Sequence, residues 1–144
     1  MLKYINKQSN TKPKMQNNRY ISKRIIKTGI ILSMLGVAFG AFGAHALSDI
    51  LEENSRVDTF DTGVLYLFVH SIAIIITGLI ADKYDCKNIK QVFYLFLGGI
   101  IFFSGSLFIL SLTDIRMFGA ITPIGGGAFI FGWIRLYFEV KNSD

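Results

Sequence analysis

Read as apolar and polar positions, the chain divides near residue 28. Polar residues dominate before it and no long apolar period emerges, whereas four apolar stretches follow at about 28–47, 64–81, 92–113 and 117–140. A helix needs about 20 apolar residues to cross a hydrocarbon core, and all four come close to or exceed that length. Only the last contains a charge, Arg135, close enough to the end to snorkel toward water, with Glu139 one turn on as a partner. Backbone groups in lipid must be paired within their own segment. The pattern therefore predicts an all-α integral membrane protein, a four-helix transmembrane bundle over 28–140 with a short polar end at 141–144. Asp114, Ile115 and Arg116 form so short a link that the third and fourth helices must be a tight antiparallel hairpin. Pro123 removes a backbone donor from the fourth, which predicts a kink, with the Thr122 hydroxyl placed to take up a freed carbonyl.

Small residues recur along these helices with helical spacing. Gly29, Ser33, Gly36, Gly40 and Gly43 follow steps of four and three and lie on one stripe. Gly98, Gly99, Gly105 and Ser106 repeat the device in the third helix, and Gly119, Ala120, Gly126 and Gly127 in the fourth. Lipid offers no hydrophobic gain for helix association, so close van der Waals approach at such residues is what holds a bundle together. The bland expectation for all of them is helix packing.

Charge adds an orientation. Lys3, Lys7, Lys12, Lys14, Arg19, Lys23, Arg24 and Lys27 all precede Asp49, the first acidic residue, and the net charge is +5. The segment 1–27 is expected to be a basic tail, disordered or interfacial, drawn to anionic lipid head groups; a membrane span directly after it argues against nucleic acid. Its acid-free character also resembles a mitochondrial transit peptide, with Lys and Asn where such peptides favour Arg and Ser, and Met15 is a second candidate start. Lys83, Lys87 and Lys90 add to the same side, while the other two loops hold only Arg56 and Arg116. Both termini are thus expected in the cytoplasm, with Tyr94, Trp133 and Tyr137 in an inner aromatic belt. The opposite loop, 48–62, carries Asp49, Glu52, Glu53, Asp58 and Asp61. Cys86 is alone, so no disulfide forms within the chain.

Candidate chemistry lies toward that acidic side. His45 stands one turn before Asp49, off the glycine stripe, and Gly63, Tyr66, His70, Ala73 and Thr77 make a small and polar line on the second helix that must face protein or water. His45, Asp49, Asp61, Tyr66, His70 and Thr122 together define a candidate outer polar site. Either these groups hydrogen-bond across helices or they line a binding site or proton-linked path, in which case His45 and His70 should approach each other or Asp61 within a water-bridged distance. Two histidines are too few for a catalytic zinc, and no metal or cofactor is expected. No titratable pair stands at a catalytic spacing, so no catalytic residue is assigned.

The stretches "GAFGAHAL", "FDTGVLYLFVHSIA", "FSGSLFILSLT" and "GAITPIGG" occur here in order. They closely resemble the YgdD-type family of small inner-membrane proteins, known as domain of unknown function 423 and related to the vertebrate transmembrane protein 256 group. The resemblance spans about 29–140; its histidine positions match His45 and His70, and its tyrosine matches Tyr66. It implies a four-helix protein of the bacterial inner membrane, with no established activity; a mitochondrial membrane is the alternative that the tail suggests. The expected role is a non-enzymatic structural or assembly component, as a homo-oligomer or with a membrane protein partner. An oligomeric small-solute or proton-linked transporter or channel is the second expectation, and a membrane enzyme acting on a lipid or quinone the last.

Overall fold

The computed structural model describes residues 2–84 and 88–142, with side chains at 16 and from 18 onward. Cys86, Lys87 and the side chains of Lys3, Lys7, Lys12 and Lys14 lie outside the described residues. Every described element is helical: α1 (Leu2–Ala44), α2 (Ser48–Glu53), α3 (Val57–Lys83), α4 (Ile89–Gly99), a π-helical turn (Ile100–Ser104), α5 (Gly105–Thr113), a 3-10 turn (Arg116–Ala120) and α6 (Thr122–Lys141). Four stretches are long and apolar enough to cross a membrane: Asn18–Ala44, Val57–Lys83, Ile89–Thr113 and Arg116–Lys141.

The helices extend past the bounds that the apolar pattern drew. Residues 18–27 continue α1, because Ser22 and Ile25 are buried and Ile21 packs on the core with them. The 48–62 loop is mostly helical: α2 is anchored by buried Leu51, and α3 begins at Val57 with Asp58 in its first turn, where a carboxylate suits the helix dipole. Pro123 starts α6 instead of kinking a longer helix, since the first helical turn lacks intrahelical partners for its N–H groups and tolerates the missing donor. The third span is not one regular helix; its π-helical turn shifts the phase between α4 and α5.

α3 is the centre of the molecule, with α1 on one flank, α4 and α5 behind it and α6 beyond them. The glycine stripe faces α3. An added methyl at Gly43 would meet the Phe60 ring at 2.6 Å, at Gly36 the Phe68 ring at 3.2 Å, at Gly40 Val64 at 3.5 Å, and at Gly29 Ile75 at 2.6 Å and the Ser71 carbonyl at 2.8 Å. Ser33 turns its hydroxyl back to the Gly29 carbonyl at 2.9 Å. The surface is reciprocal, because Gly78 on α3 receives Ile26 of α1 at 2.6 Å. These pairs fix one antiparallel register from Gly43–Phe60 to Ile26–Gly78. On the other flank, Phe129 of α6 lies on Gly99, Phe96 of α4 lies on Gly132, and Gly125 meets the backbone of Phe103. Gly126 and Gly119 touch Phe103 and Leu110 at 3.7 and 3.5 Å.

Gly98, Gly105 and Gly127 do not pack within the chain; a methyl there meets nothing within 4 Å. Gly98 is 100° round from Gly99, Gly127 is two residues from Gly125, and the π-helical turn moves Gly105 off the phase of Gly99.

Two polar ties close the ends. Arg56 Nη2 and Nε donate to Asp114 Oδ1 at 2.8 and 3.0 Å, and Asn54 Nδ2 donates to the Ser111 carbonyl at 2.9 Å, joining the start of α3 to the end of α5. Ser55 and Asp114 make these corners with φ of 53° and 50°. At the other end Glu139 is buried and accepts from Asn88 N and Nδ2, both at 3.1 Å, capping α4. It also pairs with Arg135 at 3.4 Å, as the i, i+4 spacing predicts.

Gly29→Ala and Gly78→Ala should each destabilise the protein by about 1–3 kcal/mol through overpacking. Gly98→Ala and Gly127→Ala, which gain helix propensity in open space, should be neutral or stabilising. Thermal unfolding in detergent, followed by circular dichroism, separates the two pairs.

Candidate functional site

Within the membrane spans the polar chemistry collects around His70. The alternation along α3 buries Gly63, Leu67, His70, Ala73, Ile74 and Thr77, while Leu65, Val69, Ile72 and Ile76 face outward. His70 is 4 % exposed. Its Nδ1 is 2.9 Å from the Tyr66 carbonyl, which can only accept, so Nδ1 carries the proton. The Trp133 indole N–H of α6 donates to Nε2 at 3.3 Å. Each partner thus demands the same neutral tautomer, and both ring nitrogens are occupied.

Aromatic rings enclose the imidazole. Phe129 stacks on it with centroids 3.4 Å apart and planes 12° from parallel, Tyr66 stacks at 5.7 Å, and Phe96 and Trp133 tilt against it at 5.7 and 6.2 Å. Tyr66 in turn lies on Phe103 at 4.4 Å. The residues come from α3, α4, the π-helical turn and α6, so this cluster is where the four meet. Rings with histidine at their centre fill space and satisfy a polar group at once. Tyr66 and Trp133, 38 % and 43 % exposed, form its outer edge.

Of the six candidate polar residues, the structure brings only Tyr66 and His70 together. Helix α1 ends at Ala44, so His45 sits in an exposed turn and shares no helix with Asp49, which lies in the first turn of α2. In the register of α1 and α3, His45 is level with residue 59, about 17 Å along the axis from His70 at 1.5 Å per residue. Asp61 is nine residues from His70 on the same helix, about 13 Å. The two histidines therefore do not share a site. Ser48 joins its own neighbours instead, bonding the His45 carbonyl at 2.8 Å and Asp49 at 3.3 Å. Ala41, one turn before His45, is exposed as well. Thr122 pairs with Ser106 across the α5–α6 hairpin, hydroxyl to hydroxyl at 2.8 Å, and reaches the Phe118 carbonyl at 3.5 Å. Among the described residues no three His, Cys, Asp or Glu side chains converge on one point.

Sequence reasoning placed Trp133 in an interfacial belt and missed it as the partner of His70. The available signal was paired spacing: Phe129 and Trp133 stand one turn apart on α6, as Tyr66 and His70 do on α3. Tyr94 and Tyr137, 64 % and 63 % exposed, do face outward. Ser104 and Ser111 are buried with hydroxyls that find no partner among the described residues.

A family model described as "Protein of unknown function (DUF423)" matches residues 39–126. A UPF0382 membrane protein of Staphylococcus haemolyticus is 42 % identical over 114 residues, covering 79 % of this chain and 92 % of its own. The UPF0382 membrane protein YwdK of Bacillus subtilis is 40 % identical over 115 residues, covering 79 % and 93 %. No solved structure matches.

Trp133 is the only tryptophan, so its emission reports on this cluster directly. His70→Leu removes the acceptor of the indole N–H and should shift the emission maximum, with a loss of about 0.6–2 kcal/mol in stability, the range of an interhelical hydrogen bond. His70→Gln, which offers one donor and one acceptor, should keep most of both. Fluorescence during unfolding in detergent measures the two effects together.

Proposed function

The chain belongs to the DUF423 family of membrane proteins of unknown function, and from that footing we propose that it is a non-enzymatic structural or assembly component of the bacterial inner membrane. The observation that carries this reading is the state of His70. A general base or a metal ligand needs a free lone pair within reach of a second reactive group. At His70 the Tyr66 carbonyl holds one nitrogen and the Trp133 indole engages the other, with rings on the remaining faces. The imidazole acts as a polar core residue that joins α3 to α6.

Placement of both termini in the cytoplasm belongs to the same proposal. Arg19, Lys23, Arg24, Lys27, Lys83, Lys90 and Lys141 stand at the end of the molecule that carries the termini, whereas the other end has Arg56 and Arg116 among several carboxylates. The excess of Lys and Arg near the spans supports that orientation.

In a strain lacking its own copy, a variant with His45→Ala, Asp49→Asn, Asp61→Asn and His70→Gln should restore the deletion phenotype as well as the native chain does. Gly29→Val with Gly43→Val should not. The reading fails if the first variant accumulates at native levels in the membrane and gives no rescue, because a structural role does not need those titratable groups.

A further inference from the structure

The described part of α1 has two faces with different neighbours. Ser22, Ile25 and Gly29 are buried on the α3 side. At 100° per residue, Arg19, Lys23, Lys27 and Arg24 fall within an arc of about 140° nearly opposite that side. All four are exposed. Among the described residues none of the four has a carboxylate within 4.0 Å, and α1 itself contains no acidic residue. Arg24 lies over the Tyr20 ring at 5.9 Å. Among the described residues the acids at this end are elsewhere: Asp82 is at the end of α3, and Glu139 is already held by Asn88 and Arg135.

Depth makes these cations unusual. In the α1–α3 register Lys27 is level with Thr77, about 7 Å deeper than Asp82, while α3 carries no charge between Asp61 and Asp82. A lysine that faces outward at this level must raise its ammonium along the helix to the head-group layer. Directly below it, on the same arc, the surface becomes wholly apolar with Ile30, Ile31, Met34 and Val37, all exposed. A cationic patch over an apolar track has the shape of a phospholipid, with an anionic head at one end and an acyl chain along the other.

We propose that the outward face of α1 is a binding site for an anionic phospholipid, its phosphate held by Lys23, Arg24 and Lys27 with Arg19 above, and its acyl chain along Ile30, Met34 and Val37. Each unpaired cation near the head-group layer contributes to attraction for anionic lipid. The site needs only the membrane-spanning placement of α1, so it stands apart from the structural role proposed above.

The test uses the full chain in phosphatidylcholine bilayers, with spin-labelled phosphatidylglycerol and spin-labelled phosphatidylcholine as probes. Electron paramagnetic resonance gives the relative association of the two at the protein surface. The wild type should prefer phosphatidylglycerol at low salt, and high salt should reduce that preference by screening. In R19Q/K23Q/R24Q/K27Q the preference should fall at least about fivefold, the effect of roughly one cation near an anionic surface. A control with Lys83→Gln, Lys90→Gln and Lys141→Gln should keep most of it. The proposal is overturned if the wild type shows no preference at low salt, if the quadruple variant keeps it, or if the control loses as much. Where the quadruple variant does not reconstitute, Lys27→Gln alone, the deepest cation of the patch, is read by the same criteria.

Discussion

Close approach at glycine is the constraint on which the rest of this fold depends. In lipid, side chains gain nothing from leaving solvent for one another, so helices adhere only as closely as their surfaces fit. Phe60 on Gly43, Ile26 on Gly78, Phe129 on Gly99 and Phe96 on Gly132 are the same device used on both flanks of the molecule. In each, a bulky side chain from one helix enters a gap that a missing Cβ leaves in the next. Donor and recipient alternate between the partners, so neither surface is a passive groove. Where the chain comes closest, at Gly125 against Phe103, the contact is with backbone, and there the π-helical turn supplies the fit.

Most polar groups in the membrane core follow a second rule and find a partner near at hand, the Ser104 and Ser111 hydroxyls being exceptions among the described residues. Ser22, Ser33, Ser71 and Thr77 turn back to the carbonyl one turn earlier on their own helices. His70 reaches across helices, and it takes one partner from its own helix and one from α6. That division makes it a connector. α3 and α6 otherwise meet little, and the His70–Trp133 contact with its surrounding rings is most of what joins them.

Much of the architecture was legible because membrane helices obey simple length and satisfaction rules. The four spans, the hairpin at Asp114, the Arg135–Glu139 pair and the glycine stripe of α1 could all be read from spacing, though not which helix the stripe faces. Boundaries were less legible: a few polar residues do not end a helix when a partner such as Gly78 waits for Ile26 and buries Ser22 and Ile25 beside it. The polar site was read too broadly, because depth along the helix was used without register. His45, Asp49 and Asp61 share a level near one end, but His70 is several turns away, and only pairing α1 with α3 reveals the distance. The unpacked glycines failed for a related reason. Gly98 and Gly105 stand one apparent heptad apart, yet a π-helical turn, which leaves no plain mark in composition, lies between them.

The central position of α3 also has a temporal meaning. Each helix has its main partner either earlier in the chain or close behind: α1 with α3, α4 with α6, and both hairpins joined through α3. Such local pairing lets structure accumulate as a chain emerges from the ribosome, since among the described residues the first and last helices barely meet. The first helix presents a glycine face that α3 covers, so this pair is complete as soon as α3 has been made. The Trp133–His70 contact needs α6 and can form only once nearly the whole chain has been made.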